Sequence, residues 1–259
     1  MSVLRFLFPF TYFFKSRLQS ARDIIFHFYY EWLIAFLLLL YFSQDKSLLE
    51  NAVNFLLAYY AFISIYEIGY LGNDVYSVRH ESDPRLRVKN FNPSNIELSI
   101  WIGARILIFI LIGTYLEVWN NHNWALFYLS IVVFFFLHNV LKQREYKVFT
   151  FINLAFTRFL APIFIFLSSD QLMLIIPSVL LNYVLYRTLT YMDSKKLLVM
   201  PGRTTAVFKL NYYLLLSGVS ILLASLYESW IPLILNLYYL AFWVAFFLKD
   251  NGGMQKSAN

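Results

Sequence analysis

Tyr66-Glu67-Ile68-Gly69-Tyr70-Leu71-Gly72-Asn73-Asp74-Val75-Tyr76-Ser77-Val78-Arg79-His80-Glu81-Ser82-Asp83 is the stretch that decides how this chain reads. An apolar run from Ala52 to Leu71, long enough to cross a bilayer, leads into it. On a continuing helix, Asn73, Asp74, Ser77 and Glu81 share one face, because spacings of three, four and seven residues return to the same side. Glu67 lies seven residues before Asp74 and extends the stripe inward. Ionisable groups inside a membrane segment are costly and mark function. The row of acids ends in Arg79, Arg85, Arg87 and Lys89. That order suits a divalent cation carrying a phosphorylated ligand. The competing reading is a solvated loop with surface ion pairs, its basic residues serving as cytoplasmic anchors.

Working outward, the composition agrees with a membrane setting. Of 259 residues, 60% are hydrophobic and 14% charged, against about 25% charged in soluble domains. The expected fold class is all-α: a polytopic membrane helical bundle forming a single transmembrane domain over 25–248. Without cysteine there is no disulfide and no thiolate metal site. His27, His80, His122 and His138 are too dispersed for an obvious zinc site. No Ser-His-Asp arrangement, P-loop or G-x-G-x-x-G occurs, so serine hydrolase, ATPase and dinucleotide-binding readings gain no support. No basic run stands clear of the membrane segments, so no nucleic-acid partner is expected.

Apolar runs long enough to span fall at about 25–43, 51–72, 99–118, 123–140, 148–168, 171–190, 206–226 and 229–248, eight in all. With the N-terminus in the cytoplasm, every Lys and Arg outside the span interiors falls on that side except Lys46. This asymmetry predicts a multi-pass cell-membrane protein with both termini cytoplasmic. Residues 1–24 read as an aromatic cytoplasmic or interfacial segment lying on the membrane, and 249–259 as a polar tail.

Two further constellations fall on the predicted cytoplasmic side. Tyr183, Tyr186, Arg187, Thr190, Tyr191 and Asp193 precede Lys195, Lys196 and Arg203. Here Asn182, Tyr186, Thr190 and Asp193 form a polar helical stripe; alternatively Asp193 is a cap and the lysines are anchors. At the start of the fifth span come Tyr146, Lys147, Thr150, Asn153 and Arg158. Thr150 and Asn153 can join helices by hydrogen bonds. Arg158 lies within the span and needs an acid or a wet cavity, with Glu67 the expected partner. Arg105, in the third span, poses a similar question.

In this order the three constellations resemble the UbiA superfamily of intramembrane prenyltransferases. That family carries N-D-x-x-D-x-x-x-D after its second span, a basic Thr- and Asn-containing entry to its fifth, and a second aspartate-rich motif after its sixth. Asn73-Asp74-Val-Tyr-Ser77-Val-Arg-His-Glu81 is similar to the first, Lys147-Val-Phe-Thr150-Phe-Ile-Asn153 to the fifth-span entry, and Tyr191-Met-Asp193-Ser-Lys-Lys-Leu197 to the last. Ser77 and Leu197 replace expected acids, and eight spans stand where nine are usual.

The resemblance implies a helical bundle with a cytoplasm-facing cap, and a transferase. It would move a prenyl or phosphoribosyl-like group from a Mg²⁺-bound pyrophosphate donor, an isoprenoid or a pentose, to a lipid or aromatic acceptor. Asp74, Glu81 and Asp193 are then the expected catalytic acids, holding Mg²⁺ with help from Asn73. Arg85, Arg87, Lys147, Lys195 and Lys196 would neutralise phosphate charge. Glu67, Tyr70, Ser77, Asn153, Arg158, Arg187 and Tyr191 complete the expected substrate surface. The alternative is a non-catalytic lipid-binding or transport-like membrane protein of the same fold.

Overall fold

The computed structural model describes residues 2–80, 87–88 and 92–256, with backbone alone at 79–80 and 250–256. The described residues are helical, with no strand among them. They fall into two compact units, Met1–Leu167 and Ser168–Asn259.

The first unit opens with a 3₁₀ turn, Val3–Phe6, and α1, Thr11–Arg17. Then come α2 (Ala21–Phe42, with a π-helical turn at Phe28–Leu33), α3 (Leu48–Val75), α4 (Asn95–Tyr115), α5 (His122–Val140) and α6 (Arg144–Leu160). The second unit holds α7 (Ser169–Ser194, with a π turn at Leu180–Leu185), α8 (Ala206–Leu226) and α9 (Ile231–Lys256). Polar loop residues start these helices. Ser20, Ser94 and Ser168 form capping boxes with Asp23, Glu97 and Gln171, and Ser47 and Thr205 cap α3 and α8.

Among the described residues, seven helices are long and apolar enough to cross a membrane: α2, α3, α4, α5, α7, α8 and the Ile231–Lys249 part of α9. The chain is a multi-pass membrane protein on that basis, and leucines such as Leu107, Leu111, Leu215 and Leu222 face outward, as lipid contact requires. The expected fifth span, 148–168, differs from the rest. Its helix, α6, has 17 residues and carries Arg144, Glu145, Lys147 and Arg158. It stops just before Pro162, which lacks an amide N–H and disfavours helix at the preceding residue.

In the first unit α3 packs against α2, α4 and α5. Gly69 makes one of these approaches possible, because a Cβ there would fall on the ring of Phe135. Residues 2–18, expected to lie on the membrane surface, are instead folded into this unit. Val3, Phe6 and Tyr12 form a buried cluster with Leu71, Val88 and Trp101. Phe10, at φ 73°, turns the chain between the 3₁₀ turn and α1. The carbonyls exposed by that irregular backbone are satisfied from α4: Trp101 Nε1 donates to Phe6 (2.7 Å), and Arg105 donates to Phe6 (2.7 Å), Phe8 (3.0 Å) and Leu7. A buried backbone carbonyl without a donor is costly, so these contacts fix the segment.

The second unit has its own polar core. Tyr212 and Tyr213 of α8 donate to the Leu181 and Asn182 carbonyls at the π turn, at 2.6 and 3.0 Å. Asn236 of α9 donates to Asn182 Oδ1 at 2.9 Å and accepts from Ser217 at 2.8 Å. The Asn182 side chain is therefore spent on joining helices.

Candidate functional site

The acid stripe of α3 is present, and each described acid on it is matched by an arginine from elsewhere in the first unit. Asp74 lies near the end of α3, with its side chain 4% exposed. Arg17 of α1 grips it with both terminal nitrogens, NH1 to Oδ2 at 3.0 Å and NH2 to Oδ1 at 3.1 Å. Tyr12 donates its hydroxyl to Oδ2 at 2.6 Å, and Asn73 Nδ2 lies 3.3 Å from Oδ1. Burial raises the Tyr12 phenol well above its ordinary pKa, and Asp74 adds to this, so the hydroxyl stays protonated and donates. The Arg17 guanidinium also lies 4.0 Å over the ring of Tyr70.

Two turns deeper, Glu67 is completely buried. Its Oε1 accepts from the Phe13 amide at 2.7 Å, and its Oε2 forms an ion pair with Arg105 at 2.6 Å, off the hydrogen-bonding line. The expected pairing of Glu67 with Arg158 is therefore corrected: Glu67 belongs to Arg105. Arg158 is turned inward, 3% exposed, and meets Glu31 instead, Nε to Oε2 at 2.7 Å. Its other nitrogens reach Tyr70 Oη at 2.8 Å and His27 Nδ1 at 3.0 Å, and His27 lies 3.0 Å from Glu31 Oε1. The faces of Phe13 and Tyr66 lie 5.0 and 5.9 Å from the Arg158 guanidinium carbon.

Two of the sequence motifs meet at the end of α3. Ser77 and Lys147, both buried, approach to 3.3 Å, Nζ donating to Oγ. Beside them Thr150 Oγ1 lies 2.7 Å from His138 Nδ1, joining α5 to α6. Asn153, by contrast, donates to Phe149 of its own helix at 2.9 Å. Arg87 is half-buried, and its carbonyl accepts from Gln19 at 3.1 Å. Glu81 and Arg85 lie outside the described residues. Among the described residues no three His, Asp or Glu come together in a group that could hold a metal ion.

The third constellation belongs to the second unit. Asp193 accepts from Arg203 Nε at 2.6 Å and from the Met200 amide at 3.3 Å. The carboxylate thereby closes the loop after α7. Lys196 is exposed, in the left-handed region at φ 59°, where the helix ends. Lys195 and Tyr191 are half-buried, and the Arg187 guanidinium lies 6.0 Å from the Tyr183 ring.

Sequence reasoning missed four participants: Tyr12, Arg17, His27 and Glu31. The signal for two of them was available. Glu31 stands inside the run 25–43, four residues after His27, and an ionisable residue there asks for a partner as surely as Arg158 does. For Arg17 nothing local in the sequence shows that its segment folds inward. Comparison with known proteins adds no relative: no family model, curated protein or solved structure matches the chain.

Proposed function

We propose that this chain is an integral-membrane transferase of the UbiA kind. It moves a prenyl or phosphoribosyl-like group from a pyrophosphate donor to a lipid or aromatic acceptor. The observation that carries the reading is the Ser77–Lys147 contact at 3.3 Å, spanning 70 residues of sequence. It joins two of the motifs on which the resemblance rests. A lysine kept 5% exposed in so apolar a unit is a compact cation suited to a phosphate.

In such a transfer the bond between the donor carbon and the pyrophosphate oxygen breaks, the pyrophosphate leaves with the electron pair, and the electrophilic carbon bonds to the acceptor, which releases a proton. Lys147 neutralises charge as it develops on the leaving group. The rings of Tyr70, Tyr66 and Phe13 already face the guanidinium carbons of Arg17 and Arg158, and such faces suit a cationic carbon. Magnesium, implied by the resemblance, finds no open carboxylate at Asp74, whose two oxygens are both engaged.

The test is transfer itself. Purified protein in detergent is given labelled isoprenyl pyrophosphate or phosphoribosyl pyrophosphate, with a polyprenyl phosphate or an aromatic acceptor. Pyrophosphate release is expected from one donor and should fall about 100-fold in Lys147→Met, the scale on which a charge-stabilising group acts. No release from either donor would contradict the reading.

A second reading draws on a different observation: Asp74, Glu67 and Glu31 are each neutralised internally by Arg17, Arg105 and Arg158. A non-catalytic lipid-binding protein would use its acids in that way. It predicts that a phosphate-bearing lipid binds but does not turn over.

A further inference from the structure

The arrangement around Asp74 goes beyond neutralisation, and we infer that Arg17 replaces the divalent cation at this carboxylate. An ionised carboxylate offers about four lone-pair positions. At Asp74 four donors take them: Tyr12 Oη and Arg17 NH1 on Oδ2, Arg17 NH2 and Asn73 Nδ2 on Oδ1. Asn73, expected to help hold a metal, presents its amide nitrogen, which cannot ligate one. The guanidinium fork matches the two oxygens side-on, a geometry lysine cannot reproduce. The ring of Tyr70 covers the guanidinium at 4.0 Å, and the Arg17 and Asp74 side chains are only 8% and 4% exposed.

Magnesium requires near-octahedral oxygen ligands at about 2.0–2.1 Å and gives up its water reluctantly. To reach Asp74 it would have to displace a two-pronged internal cation from a site with no net charge left to attract it. Arg17 is not a casual visitor from solution. The segment that carries it is fixed by Arg105 on the carbonyls of Phe6, Leu7 and Phe8 and by Glu67 on the amide of Phe13. The cation is thus delivered by folding. For the transferase reading, on which this consequence rests, donor phosphate charge at this end of α3 falls to side-chain cations such as Lys147 rather than to a metal held by Asp74.

Manganese is a paramagnetic probe for a magnesium site and needs no donor substrate, so the outcome does not depend on whether the chain is a transferase. Mn²⁺ binding is measured by electron paramagnetic resonance on the full chain in detergent, with wild type beside Asp74→Asn. Equal stoichiometry in the two is expected. A site present in wild type and lost in Asp74→Asn would overturn the inference. Should the single variant fail to fold, Arg17→Gln with Asp74→Asn, which removes both charges, takes its place under the same criterion. Melting temperatures provide the second arm. Arg17→Gln and Asp74→Asn should each lower the midpoint, and the double variant should melt no lower than the worse single variant; additive losses would show that the two charges are not partners.

Discussion

Arg158 is held from three sides, by Glu31, His27 and Tyr70, and buried almost completely. A guanidinium left in hydrocarbon costs roughly 2.5–3.5 kcal/mol on insertion scales, so its inward position was legible from sequence. Its partner was not. Glu67 and Glu31 both lie in apolar runs, and which of them meets Arg158 depends on helix rotation and on the π turn at Phe28–Leu33, which no spacing rule supplies. The correction is testable. Arg158→Met should destabilise by about 3–5 kcal/mol, because it leaves Glu31 buried without its cation. Adding Glu31→Gln should recover part of that loss, whereas adding Glu67→Gln should deepen it by stranding Arg105. Thermal unfolding of the three variants in detergent measures the difference.

Among the elements, α3 organises the first unit, and its glycines show how. Replacing Gly69 by Ala gains helix propensity of about 1 kcal/mol. The added Cβ, however, meets the Phe135 ring, which is itself packed edge-on against Tyr66 and Tyr70 at 4.5 and 5.8 Å. Overpacking of this kind costs about 1–3 kcal/mol, so the clash outweighs the propensity. Gly69→Ala should therefore lower the melting temperature, and Gly69→Ala with Phe135→Leu should restore much of it. Gly72→Ala is expected to be milder, because a Cβ there meets at 2.9 Å only the end of the Asn139 side chain, whose displacement costs its 3.1 Å hydrogen bond to the Gly69 carbonyl. The helices themselves were largely readable, since long apolar runs and Ser or Thr caps mark them. The N-terminal segment was not: a short aromatic run looks the same whether it lies on lipid or folds inward, and only Arg105 and Glu67, far away in sequence, decide the matter.

For the whole molecule, the distribution of basic residues and the helix lengths make different statements about α6. Lys142 and Arg144 before it, and Lys195, Lys196 and Arg203 after α7, belong on one side of the membrane by the positive-inside rule. That requires both α6 and α7 to cross. Yet α6 has only 17 residues, near the lower limit for spanning. We expect the charge rule to prevail, with tilt or local thinning absorbing the mismatch. The chain has no cysteine, so single-cysteine labelling is clean. Gln143→Cys and Ser194→Cys should be labelled from the same face and Asn121→Cys from the other. Labelling of positions 143 and 194 from opposite faces would mean that α6 does not cross.

A phosphate-bearing amphiphile received at the end of α3, where Ser77 meets Lys147, as proposed above, should stay with the protein. The most direct test is mass spectrometry of whatever lipid stays with the protein through purification in mild detergent, for wild type and for Lys147→Met side by side. An isoprenoid or polyprenyl chain bearing phosphate or pyrophosphate is expected with the wild type, strongly depleted from a folded Lys147→Met variant. Recovery of no phosphate-bearing amphiphile from wild type, or of equal amounts from both, would contradict the proposal.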